Sequence, residues 1–231
     1  MPDVSTRTAT ADHSEPARTP RRKNAHRSWS WPLFWRNACV IAVAITAAVW
    51  VWEVSAEPNL FPKNFGVVEP GEIYRAGELT PAATRSVVEQ HGIDLIIDFG
   101  AHDLGSVEER RTADVARSLG VERIRLPLFG DATGDPNRYV DALRLMADPE
   151  VGTVLIHCAA GTQRTGCATA LYRSIIQGWS DERAIAEAEV FRWDPDDEGS
   201  KLFESYTRWR EAIARSLRTG EPIPYDEPTR E

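Results

Sequence analysis

A thiol and a guanidinium six positions apart set the chemistry open to this chain. They bracket a short run, His157-Cys158-Ala159-Ala160-Gly161-Thr162-Gln163-Arg164-Thr165-Gly166. Residues Val151 to Ile156 before it are mostly apolar, and Cys167 to Gln177 after it have helical character. The spacing predicts strand, tight loop, helix. Backbone N–H groups of a loop that ends at a helix N-terminus form an anion cradle, and the helix dipole adds to it. Arg164 can grip two oxygens of a phosphoryl group at once. The same positive field favours the thiolate of Cys158. A thiolate held under a bound phosphoryl group is a nucleophile aimed at phosphorus. Ala159, Ala160, Gly161, Thr162, Gln163 and Thr165 would line the bound anion. Thr165 can donate its hydroxyl to the sulfur and ease its departure, while His157 and Gly166 support the loop. The five histidines are scattered, so no metal site is expected.

This run resembles the signature of the cysteine-dependent protein phosphatases, His-Cys-x-x-Gly-x-x-Arg-(Ser/Thr)-Gly. His157, Cys158, Gly161, Arg164, Thr165 and Gly166 match every fixed position. Upstream, Ile73-Tyr74-Arg75-Ala76-Gly77 resembles the Tyr-Arg-Ser-Gly segment of bacterial and atypical dual-specificity phosphatases. The resemblance spans about residues 65 to 215. It implies a phosphomonoesterase of the phosphotyrosine or phosphoserine/threonine type, working through a phosphocysteine without a cofactor. It also implies a general acid on a loop upstream of the cysteine, because the leaving oxygen needs a proton. Two acids stand there: Asp131, 27 residues before Cys158, and Asp135, 23 before. The longer interval fits the family better and favours Asp131. Asp135 precedes Pro136 at a helix start and reads as an N-cap. Gly130 and Gly134 would let the loop close over substrate.

The loop's variable residues, Ala159, Ala160, Thr162 and Gln163, carry no charge. That argues against polyphosphorylated inositols, whose phosphatases often place basic residues here. A phosphorylated protein or a small phosphomonoester is the expected substrate. A phosphoinositide or lipid-phosphate phosphatase, a catalytically weak phosphate-binding module and a sulfurtransferase are the competing readings.

The elements that must position these residues follow from patterning. Strand-like runs at Ile93 to Phe99, Val121 to Leu128 and Thr153 to His157 alternate with helix-like runs. Thr80-Pro81 opens a helix that Gly92 closes, and Ser106 to Glu109 is a capping box. Further helices are expected from Asn137 to Met146, from Ser180 to Phe191 and from Ser200 to Arg218. Pro70-Gly71 marks a hairpin turn. The pattern predicts an α/β layered domain, dual-specificity phosphatase-like, with a mostly parallel central sheet flanked by helices.

The chain carries a formal charge of −8 over 231 residues, unevenly spread. Residues 1–37 hold seven Arg/Lys against three acids, whereas residues 57–231 hold 20 against 31. An acidic main domain argues against nucleic acid as a partner. Three cysteines make no disulfide framework; Cys167 reads as helix packing, with a reversible disulfide to Cys158 as the alternative. Residues 1–30 read as a disordered basic segment. Residues 31–54, with a charge-free run from Ala38 to Trp52, read as a transmembrane anchor, with a cleaved signal peptide or a buried core helix as alternatives. The basic flank then predicts a cytoplasmic N-terminus and an extracytoplasmic domain. Residues 55–64 are expected as linker, 65–218 as the phosphatase domain and 219–231 as a flexible tail.

Overall fold

The computed structural model describes residues 31–52, 59 and 61–226, with side chains from Trp35 onward. The basic segment 1–30 lies outside the described residues. The chain divides into two units, residues 1–46 and 47–231.

Helix α1, Trp31–Val51, covers the apolar N-terminal run, and its described side chains are nearly all exposed. Among the described residues, no helix is long and apolar enough to cross a membrane. The expected transmembrane helix is therefore not supported. Within α1 the charge-free run starts at Ala38, after Arg36 and Asn37.

The second unit holds a five-stranded sheet in the order β1-β2-β5-β3-β4. Its strands are β1 (Gly66–Glu69), β2 (Ile73–Ala76), β3 (Leu95–Asp98), β4 (Glu122–Arg125) and β5 (Val154–His157). Only β1 runs antiparallel, joined to β2 by the turn at Pro70-Gly71; β2, β5, β3 and β4 are mutually parallel. Strands β2, β3 and β5 are buried at every residue, as continuous apolar runs covered on both faces must be. The mostly parallel α/β sheet expected from the alternation is the one observed.

Helices α2 (Pro81–His91) and α3 (Val107–Leu119) form one layer. The Thr80 and Ser106 hydroxyls accept from the N–H of Ala83 and Glu109, and Gly92 and Gly120 close the helices in the left-handed region. The capping box at Ser106 is half made: the Glu109 side chain goes to Arg123 instead, at 3.0 Å. The opposite layer carries α4 (Asn137–Ala147), α5 (Gln163–Leu171), a π-helical turn at Tyr172–Ile176, α6 (Asp181–Val190) and α7 (Leu202–Thr219). Its packed side chains, among them Ile97, Leu143, Ile156, Leu171 and Ile213, make the larger core. The last helix starts at Leu202, and the expected cap, Ser200, accepts from the Leu202 N–H at 3.5 Å while also bonding Gln163.

The C-terminal segment is held where a loose tail was expected. Asn137 and Ile223 exchange two hydrogen bonds, side-chain amide to backbone, at 2.9 and 2.8 Å. The Ser216 hydroxyl donates to the Glu221 carbonyl at 2.6 Å, and Ile223 is buried.

Candidate active site

Central strand β5 ends at His157, and the next residue is Cys158, only 1 % exposed. From there the chain turns through Ala159–Thr162 and enters α5 at Gln163. The Gly161 N–H donates to the Cys158 sulfur at 3.2 Å. That bond needs Gly161 in the left-handed region, φ +75°, with the backbone of Ala76 and Gly77 packed where a Cβ would stand. The Ala159, Ala160 and Thr162 N–H groups have no backbone acceptor among the described residues. Those of the first helical turn lack one by the geometry of helix ends.

The outer side of the loop is clamped. The Lys63 ammonium donates to the Ala159 carbonyl at 3.0 Å, and the Glu78 N–H donates to the same oxygen at 3.1 Å. The Asn64 amide donates to the Ala160 carbonyl and the Thr162 hydroxyl, both at 3.4 Å, and to the Phe191 carbonyl at 2.9 Å. Lys63 and Asn64, read from sequence as the end of a linker, are part of the loop's housing. With the loop's carbonyls turned outward to these donors, its amide side is left for an anion.

Arg164 is 8 % exposed. Its Nη1 donates to the carbonyls of Phe99, at 3.1 Å, and Gly100. Its Nε is buried without a partner. A buried guanidinium anchored through one nitrogen, with Nε unsatisfied, is set to receive an oxyanion. The carbonyls that anchor it are themselves held. One Asp98 carboxylate oxygen accepts from the Gly100 and Ala101 N–H groups, both at 2.8 Å, and the other from Arg123 at 2.5 Å. Burial pushes the Asp98 carboxyl up, but His157, the Ala101 N–H and Arg123 together hold it below the usual carboxylate range. Burial pushes His157 below the ordinary imidazole value, against the raising pull of Asp98 at 3.9 Å. The imidazole interacts both with Asp98 and with the Cys158 backbone. None of this support, from Asp98 through Arg123, was read from the sequence; the only signal was an acid ending a buried apolar strand.

The Thr165 hydroxyl does not meet the expected sulfur. It is fully buried and makes no hydrogen bond. Cys167 is buried among the apolar side chains of the larger core, and burial pushes its thiol up to about 12. Its place in this core is that of a small apolar packing group.

The two candidate acids differ in what they are tied to. The Asp131 carboxylate accepts from the Thr133 N–H and hydroxyl, at 3.0 and 2.7 Å, and its carbonyl accepts from the Lys201 N–H at 3.0 Å. Next to Lys201, the Ser200 hydroxyl donates to the Gln163 side chain at 2.6 Å and accepts from the Trp193 indole at 2.7 Å. Segment 200–201 thus bridges the Asp131 loop to the start of α5. Asp135 instead accepts from the backbone and side-chain N–H groups of Asn137, at 2.9 and 2.7 Å, and Asn137 holds the C-terminal segment. The Asp131 backbone is thus linked to the start of α5, and Asp135 to the C-terminal segment. Among the described residues no group of His, Cys, Asp and Glu side chains is placed to hold a metal ion.

The arrangement has solved counterparts. The crystal structure of P. aeruginosa TpbA shares the fold with a TM-score of 0.53 at 23% identity, over 68% of this chain and 92% of that one. The catalytic core of the PP-IP phosphatase SIW14 from S. cerevisiae, solved with citrate, gives 0.55 at 20% identity, over 69% and 94%. Among curated proteins, the dual specificity protein phosphatase TpbA of Pseudomonas aeruginosa strain UCBPP-PA14 is 32% identical over 78 residues, 34% of this chain and 36% of that one. The inositol diphosphatase DSP5 of Arabidopsis thaliana is 32% identical over 135 residues, 54% and 60% of the two chains. The chain therefore spans less than two thirds of the length of these curated relatives. The sequence pattern of the tyrosine phosphatase family matches residues 61–187, more than half of the chain, and on that match this chain belongs to the tyrosine phosphatase family.

Proposed function

We propose that this protein is a cysteine-dependent phosphomonoesterase acting on phosphotyrosine- or phosphoserine/threonine-type esters. The observation that carries the reading is the buried, unpartnered Nε of Arg164, in a loop whose Gly161 N–H already points at the Cys158 sulfur. The Cys158 thiolate attacks phosphorus, and the bond to the ester oxygen breaks. Asp131 gives its proton to the leaving oxygen. The phosphocysteine is then attacked by water, whose proton returns to Asp131, releasing inorganic phosphate and the thiolate. Arg164 and the loop amides hold the charge of the transferring group throughout, the largest electrostatic contribution expected.

Support for a monoester comes from the uncharged side chains at Ala159, Ala160, Thr162 and Gln163, and from a relative: P. aeruginosa TpbA has been crystallised with pTyr. The similarity to an inositol diphosphatase favours a second reading, a diphosphorylated inositol substrate. Lys63, which reaches the loop, is spent on the Ala159 carbonyl, which weighs against it. The purified chain should hydrolyse p-nitrophenyl phosphate with EDTA present, and Cys158→Ser should abolish this. No turnover in reductant would refute the phosphatase reading. A much higher kcat/KM for a diphosphoinositol than for a phosphotyrosine peptide would select the second substrate class.

Placement outside the cytoplasm is a further proposal, supported only by the excess of positive charge in residues 1–37. A reporter enzyme fused after Glu231 and active only in the cytoplasm would refute it.

A further inference from the structure

A second guanidinium lies beside the loop and has no part in the steps above. Arg75, on β2, is fully buried, 0 % exposed. It makes no ion pair among the described residues; the nearby Glu187 carboxylate is taken by Arg173, through two bonds of 2.8 and 2.7 Å. Arg75 Nη2 donates to the Gly161 carbonyl at 2.6 Å, and its guanidinium stacks 3.8 Å from the centre of the Phe191 ring. Its Nε and Nη1 have no partner. An unpaired charge is costly to bury. A leucine here would pack without that penalty, so stability alone does not account for the arginine.

We propose that Arg75 is a positioning residue for the nucleophile: it pins the Gly161 carbonyl and holds a fixed positive charge beside Cys158, so that sulfur and loop amides are set before substrate arrives. The geometry of one peptide unit explains how. The Gly161 carbonyl and the Thr162 N–H lie on opposite edges of a trans peptide. Holding the carbonyl on Arg75 turns the Thr162 N–H away from it, and the adjacent cation polarises that N–H into a stronger donor. The preceding N–H, that of Gly161, already reaches the sulfur. Burial pushes Arg75 down to about 10, against the raising pull of Glu187 and Cys158, so it stays charged at neutral pH. The charged and titratable groups around this pair are Glu187 and Arg173 beside Arg75, and Tyr139 and His157 beside Cys158, with Arg164 acting on Tyr139.

This role rests on the phosphatase reading, but its test does not need turnover. Alkylation of Cys158 by iodoacetamide is followed against pH in the full chain, with and without inorganic phosphate. In Arg75→Met the pH midpoint of alkylation should rise by about one unit, as for a thiolate that loses a nearby cation. Protection by phosphate should weaken by about tenfold, the effect of one charge-assisted contact. Phe191→Leu keeps the guanidinium but removes the ring it stacks on, and should move the midpoint in the same direction by less. It carries the test if a melting curve finds Arg75→Met unfolded. An unmoved midpoint in a folded variant overturns the proposal, even if p-nitrophenyl phosphate is turned over normally. Absent turnover in the wild type with a shifted midpoint in the variant would refute the phosphatase reading alone.

Discussion

Gly161 meets Cys158 through a single hydrogen bond, N–H to sulfur at 3.2 Å, and no other residue type is suited to the backbone that makes it. An added Cβ would stand 2.5 Å from the Gly77 nitrogen, on a backbone with φ +75°. Gly161→Ala should therefore cost about 1–3 kcal/mol from the strained backbone alone. It should also abolish turnover, because the loop must move to admit the methyl group. Urea denaturation and a p-nitrophenyl phosphate assay check both halves. A stable, active Gly161→Ala protein would mean that the loop is not held as described.

Asp131 is the proposed acid, on a loop whose backbone is tied through Lys201 and Ser200 to the start of α5. Asp131→Asn should lower kcat by about 10²–10⁴-fold on esters with poor leaving groups. The loss should be smaller for p-nitrophenyl phosphate, whose leaving group scarcely needs a proton. Asp135→Asn should leave the dependence on leaving group unchanged. Comparing phenyl and p-nitrophenyl phosphate for both variants decides between them; a leaving-group effect confined to Asp135→Asn would reverse the assignment.

Stability should fall in acid in two stages. His157 is held below its unfolded value of about 6.5. Its contribution is complete above that pH and is lost as pH drops through the folded value. Asp98 is likewise held below its unfolded value of about 3.9, so its share persists to lower pH and disappears only beneath that. Melting temperature recorded from pH 8 to pH 3 should show both declines. Asp98→Asn should cost about 3 kcal/mol at neutral pH, since it breaks a buried pair with Arg123. It should also flatten the lower-pH decline. A wild-type melting temperature independent of pH below 6 would contradict the assignment.

The C-terminal segment should matter to stability. Ending the chain at Gly220 removes the Asn137–Ile223 pair and exposes the surface beneath Ile223. A loss of about 2–3 kcal/mol is expected from one buried aliphatic side chain and its hydrogen bonds, read from the urea midpoint. A truncated protein of unchanged stability would show that the segment contributes nothing.

What the sequence made legible was local. The strand-loop-helix around Cys158 could be read because its residues are contiguous and each type has one plain use there. Helix limits at Thr80, Gly92 and Ser106 could be read because capping is a short-range interaction. Parallel strands were recognisable from apolar runs at Leu95–Asp98 and Val154–His157. What could not be read depends on contacts between distant parts of the chain. Nothing near Lys63, Asn64 or Ser200 signals that they meet a loop about a hundred or forty residues away. The Glu109 side chain left its capping box because Arg123 is a stronger partner in a partly buried site. Thr165 was assigned to the sulfur from the motif alone, and its buried hydroxyl makes no hydrogen bond. The apolar run at Ala38–Trp52 was legible as part of one continuous element, and most of it lies in helix α1.

The place of β5 has one more consequence, for the order of events in synthesis. It is the last strand made and the central one in the sheet, entering between β2 and β3, both made long before it. Insertion of a late strand between two earlier ones is a long-range step, and such steps come late in folding. Until it happens Cys158 is an ordinary cysteine, with no Gly161 amide and no Arg164 near it. On the proposed phosphatase reading, a growing or half-folded chain lacks the assembled site. The appearance of a phosphate-protected thiol during refolding is a clock for the closing of the sheet.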